Sequence, residues 1–230
     1  MPSVKDNFNA VMKQVRDAAV SCGRNPDEIT LIAVSKKKQI PVIMEGINAG
    51  AAHLGENYLQ EAVKKIDAIG NTKICWHFIG HLQTKKARSA VKYFEYIHTV
   101  DRIKLAKEIN KHAAKINKVQ KILLQINIGN EETKSGAALQ DIHELADQVM
   151  QLDNLSLEGL MCIPPYNPDP ELTRPYFRQL AQIREELAEK FKTAEIMKHL
   201  SMGMSNDFKI AIEEGATMIR VGTSIFGKRE

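Results

Sequence analysis

Lys36 opens a lysine triplet, Ser35-Lys36-Lys37-Lys38, directly behind the apolar stretch Ile29-Thr-Leu-Ile-Ala-Val34. Such a triplet is most simply a solvated charged face. A lysine at the end of a buried strand has a second use. Partial desolvation lowers its pKa and makes the amine a nucleophile toward aldehydes. Lys37 and Lys38 are expected to face solvent. Two later segments carry groups suited to an anion. In Leu200-Ser201-Met202-Gly203-Met204-Ser205-Asn206-Asp207, small residues and hydroxyls run into a helix start. Free backbone N–H groups and the positive end of the helix dipole favour phosphate there, although N-capping by Ser205 explains the same residues. In Met218-Ile-Arg-Val-Gly-Thr-Ser224, Gly222 permits close backbone approach and Thr223 adds a hydroxyl. Together the two segments form a candidate phosphate cradle. Arg220 lies inside the second, where a charge is costly unless paired. A structural ion pair and a ligand contact both account for it.

Other polar residues are less specific. Asn57, in Gly55-Glu56-Asn57-Tyr58, is either a helix cap or a pocket residue. His77 and His81 stand four apart in Trp76-His77-Phe78-Ile79-Gly80-His81, but no HExxH accompanies them and the segment is not clearly helical. No metal is expected from that pair. Lys85, Lys86 and Arg88 read as a solvated face. The sequence contains no GxGxxG, no GxxxxGK[ST] and no GxSxG.

Strands and helices alternate around these residues. Val4, Phe8, Val11, Val15 and Ala18 mark one face of a helix over 4–22, with Ser3 and Asp6 at its start. Strands are expected near 29–35, 52–55, 74–79, 96–100, 121–128, 156–163, 198–202 and 217–222. Helices are expected over 40–49, 58–68, 84–92, 102–116, 137–151, 171–191 and 206–214. Gly50 and Gly215 each follow a helix and suit the left-handed position beyond its end. Continuous apolar strands are typical of parallel sheets covered by helices. Eight such units predict an α/β fold, a single (β/α)8 TIM barrel over residues 1–230. The N-terminal helix completes the outer ring, because too few residues follow Gly222 for a closing helix. An open doubly wound sheet is the alternative. In both, chemistry belongs at the carboxyl ends of the strands.

Composition narrows the class. With 43% hydrophobic and 26% charged residues, the chain is an ordinary globular protein rather than a disordered one. Its apolar runs fall short of the ~20 residues a membrane helix needs. The net charge is +4, with lysines spread along the chain, so nucleic acid is not an expected partner. Cys22, Cys75 and Cys162 are far apart and form no CxxC. Without a secretory signal, a reducing cytoplasm is the expected compartment. No long exposed apolar stripe demands a partner subunit, so a monomer is expected.

Taken together, several segments resemble one family. They are Ala33-Val-Ser-Lys36, Leu54-Gly-Glu-Asn-Tyr58, His77-Phe-Ile-Gly80 with Leu82-Gln83, Lys134-Ser-Gly136, Gly159-Leu-Met161, Leu200-Ser-Met-Gly-Met-Ser205 and Arg220-Val-Gly-Thr-Ser-Ile-Phe-Gly227. The chain resembles the pyridoxal phosphate homeostasis proteins, also called proline synthetase co-transcribed proteins, in the expected order from 29 to 227. The resemblance implies a barrel like the alanine racemase N-terminal domain, with pyridoxal 5′-phosphate held as a Schiff base on Lys36. It places the phosphate on Ser201, Gly222 and Thr223, Arg220 against the pyridine nitrogen, and Asn57 in the pocket. It implies vitamin B6 and amino-acid homeostasis rather than catalytic turnover, with amino acids and apo pyridoxal-phosphate enzymes as further partners. An Arg at that nitrogen donates a hydrogen bond without giving up its proton, which weakens the ring as an electron sink. In alanine racemase a tyrosine from a partner's C-terminal domain supplies the second base. The chain stops at Glu230, so that domain is expected to be absent. The alternatives are a racemase or lyase of low activity using Lys36, with Tyr58 or Tyr166 as second base, and a phosphosugar-type barrel without cofactor.

Overall fold

The structure, a computed structural model, describes residues 2–70, 73–131, 133–192 and 196–227. Eight parallel strands close into a barrel in chain order. They are β1 (Thr30–Val34), β2 (His53–Glu56), β3 (Cys75–Phe78), β4 (Tyr96–Val100), β5 (Gln120–Ile126), β6 (Leu155–Cys162), β7 (His199–Ser201) and β8 (Met218–Val221). Closure is made by β1 against β8, with Thr30 opposite Met218 and Ala33 opposite Val221. That pairing excludes the open sheet.

The helices are α1 (Val4–Ser21), α2 (Ile40–Asn48), α3 (Leu59–Ile69), α4 (Ala87–Tyr93), α5 (Ile103–Ala114), α6 (Ile142–Met150), α7 (Arg174–Phe191), α8 (Phe208–Glu213) and the single-turn α9 (Thr223–Phe226). A capping box starts α1, as expected: the Ser3 hydroxyl accepts from the Asp6 N–H and the Asp6 carboxylate accepts from the Ser3 N–H. The α1 face made by Phe8, Val11, Val15 and Ala18 is buried. Asn7 Nδ2 donates to the Ile225 carbonyl at 3.1 Å. In the outer ring α1 thereby packs against α2, α8 and α9, where a closing eighth helix would otherwise lie. Gly50 and Gly215 take φ of +111° and +97°, the left-handed exit that turns α2 and α8 toward the next strand.

Alternation along each strand separates two interiors. Outward residues such as Leu54, Phe78, Ile97, Ile122, Leu160 and Ile219 pack under the helices in the main core. Inward residues Ile32, Tyr96, Leu123, Met161 and Met218 form a second cluster inside the barrel. The lumen is not purely apolar. Arg220 Nη1 donates to Ser201 Oγ at 2.7 Å, and Ser201 Oγ lies 2.9 Å from His98 Nδ1. His98 Nε2 lies 2.9 Å from His77 Nδ1, and His77 Nε2 lies 2.9 Å from His53 Nδ1. Arginine can only donate, so Ser201 accepts from it, and its hydroxyl can either donate to His98 or accept from it as well. Each histidine contact holds one proton between its two nitrogens, so the two tautomers must run in the same sense along the column. One hydrogen-bonded column thus joins Arg220 to His53 at the N-terminal end of the barrel.

Neutral imidazoles are what this column requires. Burial holds His77 and His98 well below the usual histidine pKa, and lowers His53 as well. Burial also brings His199, which faces Glu158, Lys198 and Lys121, down to about 4. A depressed native pKa contributes stability that is present above the unfolded value and lost as pH falls. Below about pH 6.5 the unfolded chain therefore takes up protons that the barrel refuses. Glu56 and Asp207, whose carboxyls burial raises, work in the opposite sense but are fewer than the four imidazoles. The melting temperature, followed calorimetrically, should fall steadily from about pH 6.5 toward about pH 4. Each imidazole adds up to about 1.4 kcal/mol per pH unit. A flat profile across that window would contradict the neutral column.

Candidate functional site

Lys36 stands in the turn immediately after β1, half-buried. That turn is anchored from below. The Ser35 hydroxyl, fully buried, donates to Glu56 Oε1 at 2.7 Å. Lys65, reaching up from α3, donates to the Ser35 carbonyl and to Glu56 Oε1, both at 2.7 Å, and to Glu61 at 2.5 Å. Burial raises the Glu56 carboxyl, while Lys65 and Ser35 oppose that shift. Breaking such a buried pair by removing one partner typically costs about 3–5 kcal/mol, so the residues under Lys36 are held firmly. Lys37 takes a left-handed φ of +59°, which turns its side chain out into solvent. Lys38 is half-buried rather than exposed, unlike the expectation for it.

A cavity of about 150 Å³ opens at the carboxyl ends of β1, β2, β3, β6, β7 and β8. Its polar groups come from Lys36, Asn57, Ser205, Arg220 and Thr223, with Gly222 between the last two. Val34, Ile79, Ile163 and Met204 give it apolar walls suited to a flat ring. Asn57 Oδ1 is buried without a hydrogen-bond partner, a polar atom left for something else to meet. Gly222 lies close against Val34: a Cβ there would come within 3.3 Å of both the Val34 carbonyl and its Cβ. The chain can therefore bring the N–H groups at the start of α9 to the mouth without obstruction. An adjoining cavity of about 240 Å³ shares Asn57, Ile79 and Ile163 and reaches Lys134, Ser135 and His81.

Arg220 is 4% exposed and faces the cavity from β8. Its Nη1 and Nη2 donate to Ser201 Oγ at 2.7 Å and to the Cys162 carbonyl at 2.8 Å. Burial lowers its pKa, yet a guanidinium stays protonated. Asp207 supplies the nearby negative charge without a direct bond to it.

Of the residues picked out in the sequence, the cavity brings together Lys36, Asn57, Arg220, Gly222 and Thr223. Ser201 is not on its wall. As the last residue of β7 it is fully buried and committed to Arg220 and His98. Ser205, four residues on in the turn, takes the place on the wall. Nor does Ser205 cap the next helix: α8 begins at Phe208, after Asp207, whose carboxylate accepts from the Met204 N–H at 2.7 Å. His81 has no contact with His77; it bonds Ser135 at 3.1 Å. Tyr58 and Tyr166 are 51% and 80% exposed, and neither lines the cavity.

The family model of the alanine racemase N-terminal domain matches residues 7–230. The pyridoxal phosphate homeostasis protein of Aquifex aeolicus is 43% identical, over 98% of each chain. That of Escherichia coli is 41% identical, over 100% of this chain and 98% of its own. PipY of Synechococcus elongatus, in a structure with PLP bound, is 35% identical with a TM-score of 0.81, covering 93% of this chain and 100% of its own. Alanine racemase of Streptomyces lavendulae, 18% identical, shares the fold with a TM-score of 0.69 over 98% of this chain and 60% of its own. The chain belongs to the alanine racemase N-terminal domain family, among the pyridoxal phosphate homeostasis proteins.

Proposed function

We propose that the chain holds pyridoxal 5′-phosphate at the barrel mouth and serves vitamin B6 and amino-acid homeostasis as a carrier rather than by turnover. One observation carries this reading. A single cavity gathers an amine (Lys36), two hydroxyls beside a glycine turn (Ser205, Thr223, Gly222), an unpartnered buried amide oxygen (Asn57) and a buried guanidinium (Arg220). Those are the groups needed for an aldehyde, a phosphate, ring substituents and a pyridine nitrogen. Relatives named for pyridoxal phosphate homeostasis, and PipY with PLP bound, support the same assignment.

When bound, the cofactor supplies an aldehyde that condenses with amines and a ring that withdraws electrons when its nitrogen is protonated. Lys36 Nζ is the amine that attaches it as a Schiff base, with loss of water. Ser205, Thr223 and the N–H groups following Gly222 hold the phosphate, a role that passes from Ser201 to Ser205. Arg220 donates to the ring nitrogen and leaves it unprotonated. Val34, Ile79 and Ile163 exclude water from the ring. Among the described residues lining the cavity, none is a carboxyl, imidazole, thiol or phenol; His81 and Lys134 lie in the adjoining one. Amino acids and apo enzymes are the partners this reading implies, and a cytoplasmic monomer its setting. No helix among the described residues is long and apolar enough to cross a membrane.

Borohydride reduction of the purified protein should fix the cofactor on the peptide containing Lys36, and Lys36→Ala should remove the yellow colour. Label found chiefly on Lys134, in the adjoining cavity, would relocate the site. Replacing Ser205 and Thr223 together by Ala removes bonds to a charged group, each worth roughly 1.5–3 kcal/mol. Retention should then fall strongly for pyridoxal phosphate and little for pyridoxal. Equal losses for the two ligands would show that the phosphate lies elsewhere.

A further inference from the structure

The far end of the barrel carries a second constellation that the cofactor pocket does not use. His53 and Cys75 open β2 and β3 and stand directly opposite each other in the register of that pair. His77 follows Cys75 by two residues and so shares its inward face. One donor atom from each of the three lies within 4.8 Å of the others. Two of them, His53 Nδ1 and His77 Nε2, are 2.9 Å apart. We propose that His53, Cys75 and His77 form a binding site for a thiophilic divalent ion of the zinc type at the N-terminal end of the barrel.

The geometry is close to what such an ion needs. Bonds of about 2.0–2.1 Å to nitrogen and about 2.3 Å to sulfur, at tetrahedral angles, put two nitrogens about 3.3 Å apart and nitrogen and sulfur about 3.6 Å apart. The imidazoles must separate by a few tenths of an ångström, and the thiol, now within 4.8 Å of both, must settle at bonding distance. His53 and Cys75 have that freedom, being the first residues of their strands and only partly buried, whereas His77 is fully buried and fixed. The same partial exposure gives the ion a route in and leaves a fourth position for water. Two imidazoles and a thiolate select zinc-like ions over magnesium or calcium, which take oxygen ligands. Glu95 and Glu158 set negative charge around Cys75, against Lys118 and Lys121.

The outer contacts of the site are also in place. A histidine bound to metal through one nitrogen usually donates from the other, and His77 Nδ1 already faces His98 Nε2 at 2.9 Å. Binding displaces the Cys75 thiol proton to solvent. His77 neither gains nor loses a proton: with Nε2 on the ion it is held as the Nδ1–H tautomer and donates to His98. His98 then runs in the same sense and donates to Ser201, whose second acceptor site takes it beside Arg220. An occupied site thus fixes one direction for the hydrogen-bonded column that ends at Arg220.

Cobalt(II), titrated into the full-length protein as purified and stripped with chelator, is the probe. A stoichiometric complex with a near-ultraviolet thiolate-to-cobalt charge-transfer band and intense tetrahedral visible bands is expected, and zinc should bleach both. Cys75→Ser should abolish the charge-transfer band. His53→Gln, at a half-exposed strand start, should weaken binding at least about tenfold, since even outer contacts are worth that much. Cys22→Ser, on the exposed end of α1, should change nothing. Nitrogen-15 spectra should show His77 protonated at Nδ1, with Nε2 on the metal, after zinc addition. A band that survives Cys75→Ser, the absence of any complex, or a His77 still protonated at Nε2 with zinc present would overturn the site. If Cys75→Ser does not fold, the His53→Gln affinity and the wild-type tautomer decide the question.

Discussion

The Arg220 guanidinium sits inside a barrel wall, where an unpartnered charge costs several kcal/mol. It is kept there by acceptors from two other strands, the Ser201 hydroxyl on β7 and the Cys162 carbonyl at the end of β6. That requirement organises much of the interior. Ser201, having accepted from arginine, also bonds His98. His98 in turn commits His77, and His77 commits His53. A single buried cation at the mouth is therefore joined by hydrogen bonds to residues at the opposite end of the barrel. The Tyr96 ring, stacked on His77 with centroids 4.9 Å apart, closes this column laterally and donates to Glu158 at 2.7 Å.

At the mouth a second buried charge does comparable work for Lys36. Lys65 bridges Ser35, Glu56 and Glu61 and so ties the turn after β1 to β2 and α3. The two devices position different halves of the cavity. Lys65 fixes the backbone from which the amine projects. The Ser201 and Cys162 contacts fix the guanidinium across from it. In the function proposed here, that arrangement offers an aldehyde a firm point of attachment and gives the ring nitrogen a partner that cannot hand over a proton. Tight holding combined with a weak electron sink is what a carrier needs and what an efficient racemase lacks.

Much of this was legible in the sequence. Alternating apolar strands and amphipathic helices announced the barrel, and the position of Lys36 and Arg220 relative to β1 and β8 placed both at its mouth. The side proposed for the phosphate was only half legible. Ser201 ends β7 and Ser205 lies four residues on in the loop, so the two hydroxyls part at the strand end. Ser201 still obeys the inward alternation of β7, while Ser205 has turned out onto the cavity wall. The histidine column was not legible at all. His53, His77 and His98 are separated by more than twenty residues each and meet only because strand register aligns them. The apparent pair His77 and His81 dissolved for the same reason: β3 ends at Phe78, so His81 leaves the barrel and meets Ser135 instead.

The claim that Arg220 leaves the cofactor a poor electron sink has a direct chemical readout. Alanine and a few other amino acids, incubated with the cofactor-loaded protein in deuterium oxide, report proton loss at Cα through solvent deuterium incorporation, and chiral analysis reports inversion. The account predicts exchange that is absent or far slower than ordinary turnover, with no inversion. Inversion at a rate near the ~10 per second typical of enzymes would contradict it and make the protein a racemase.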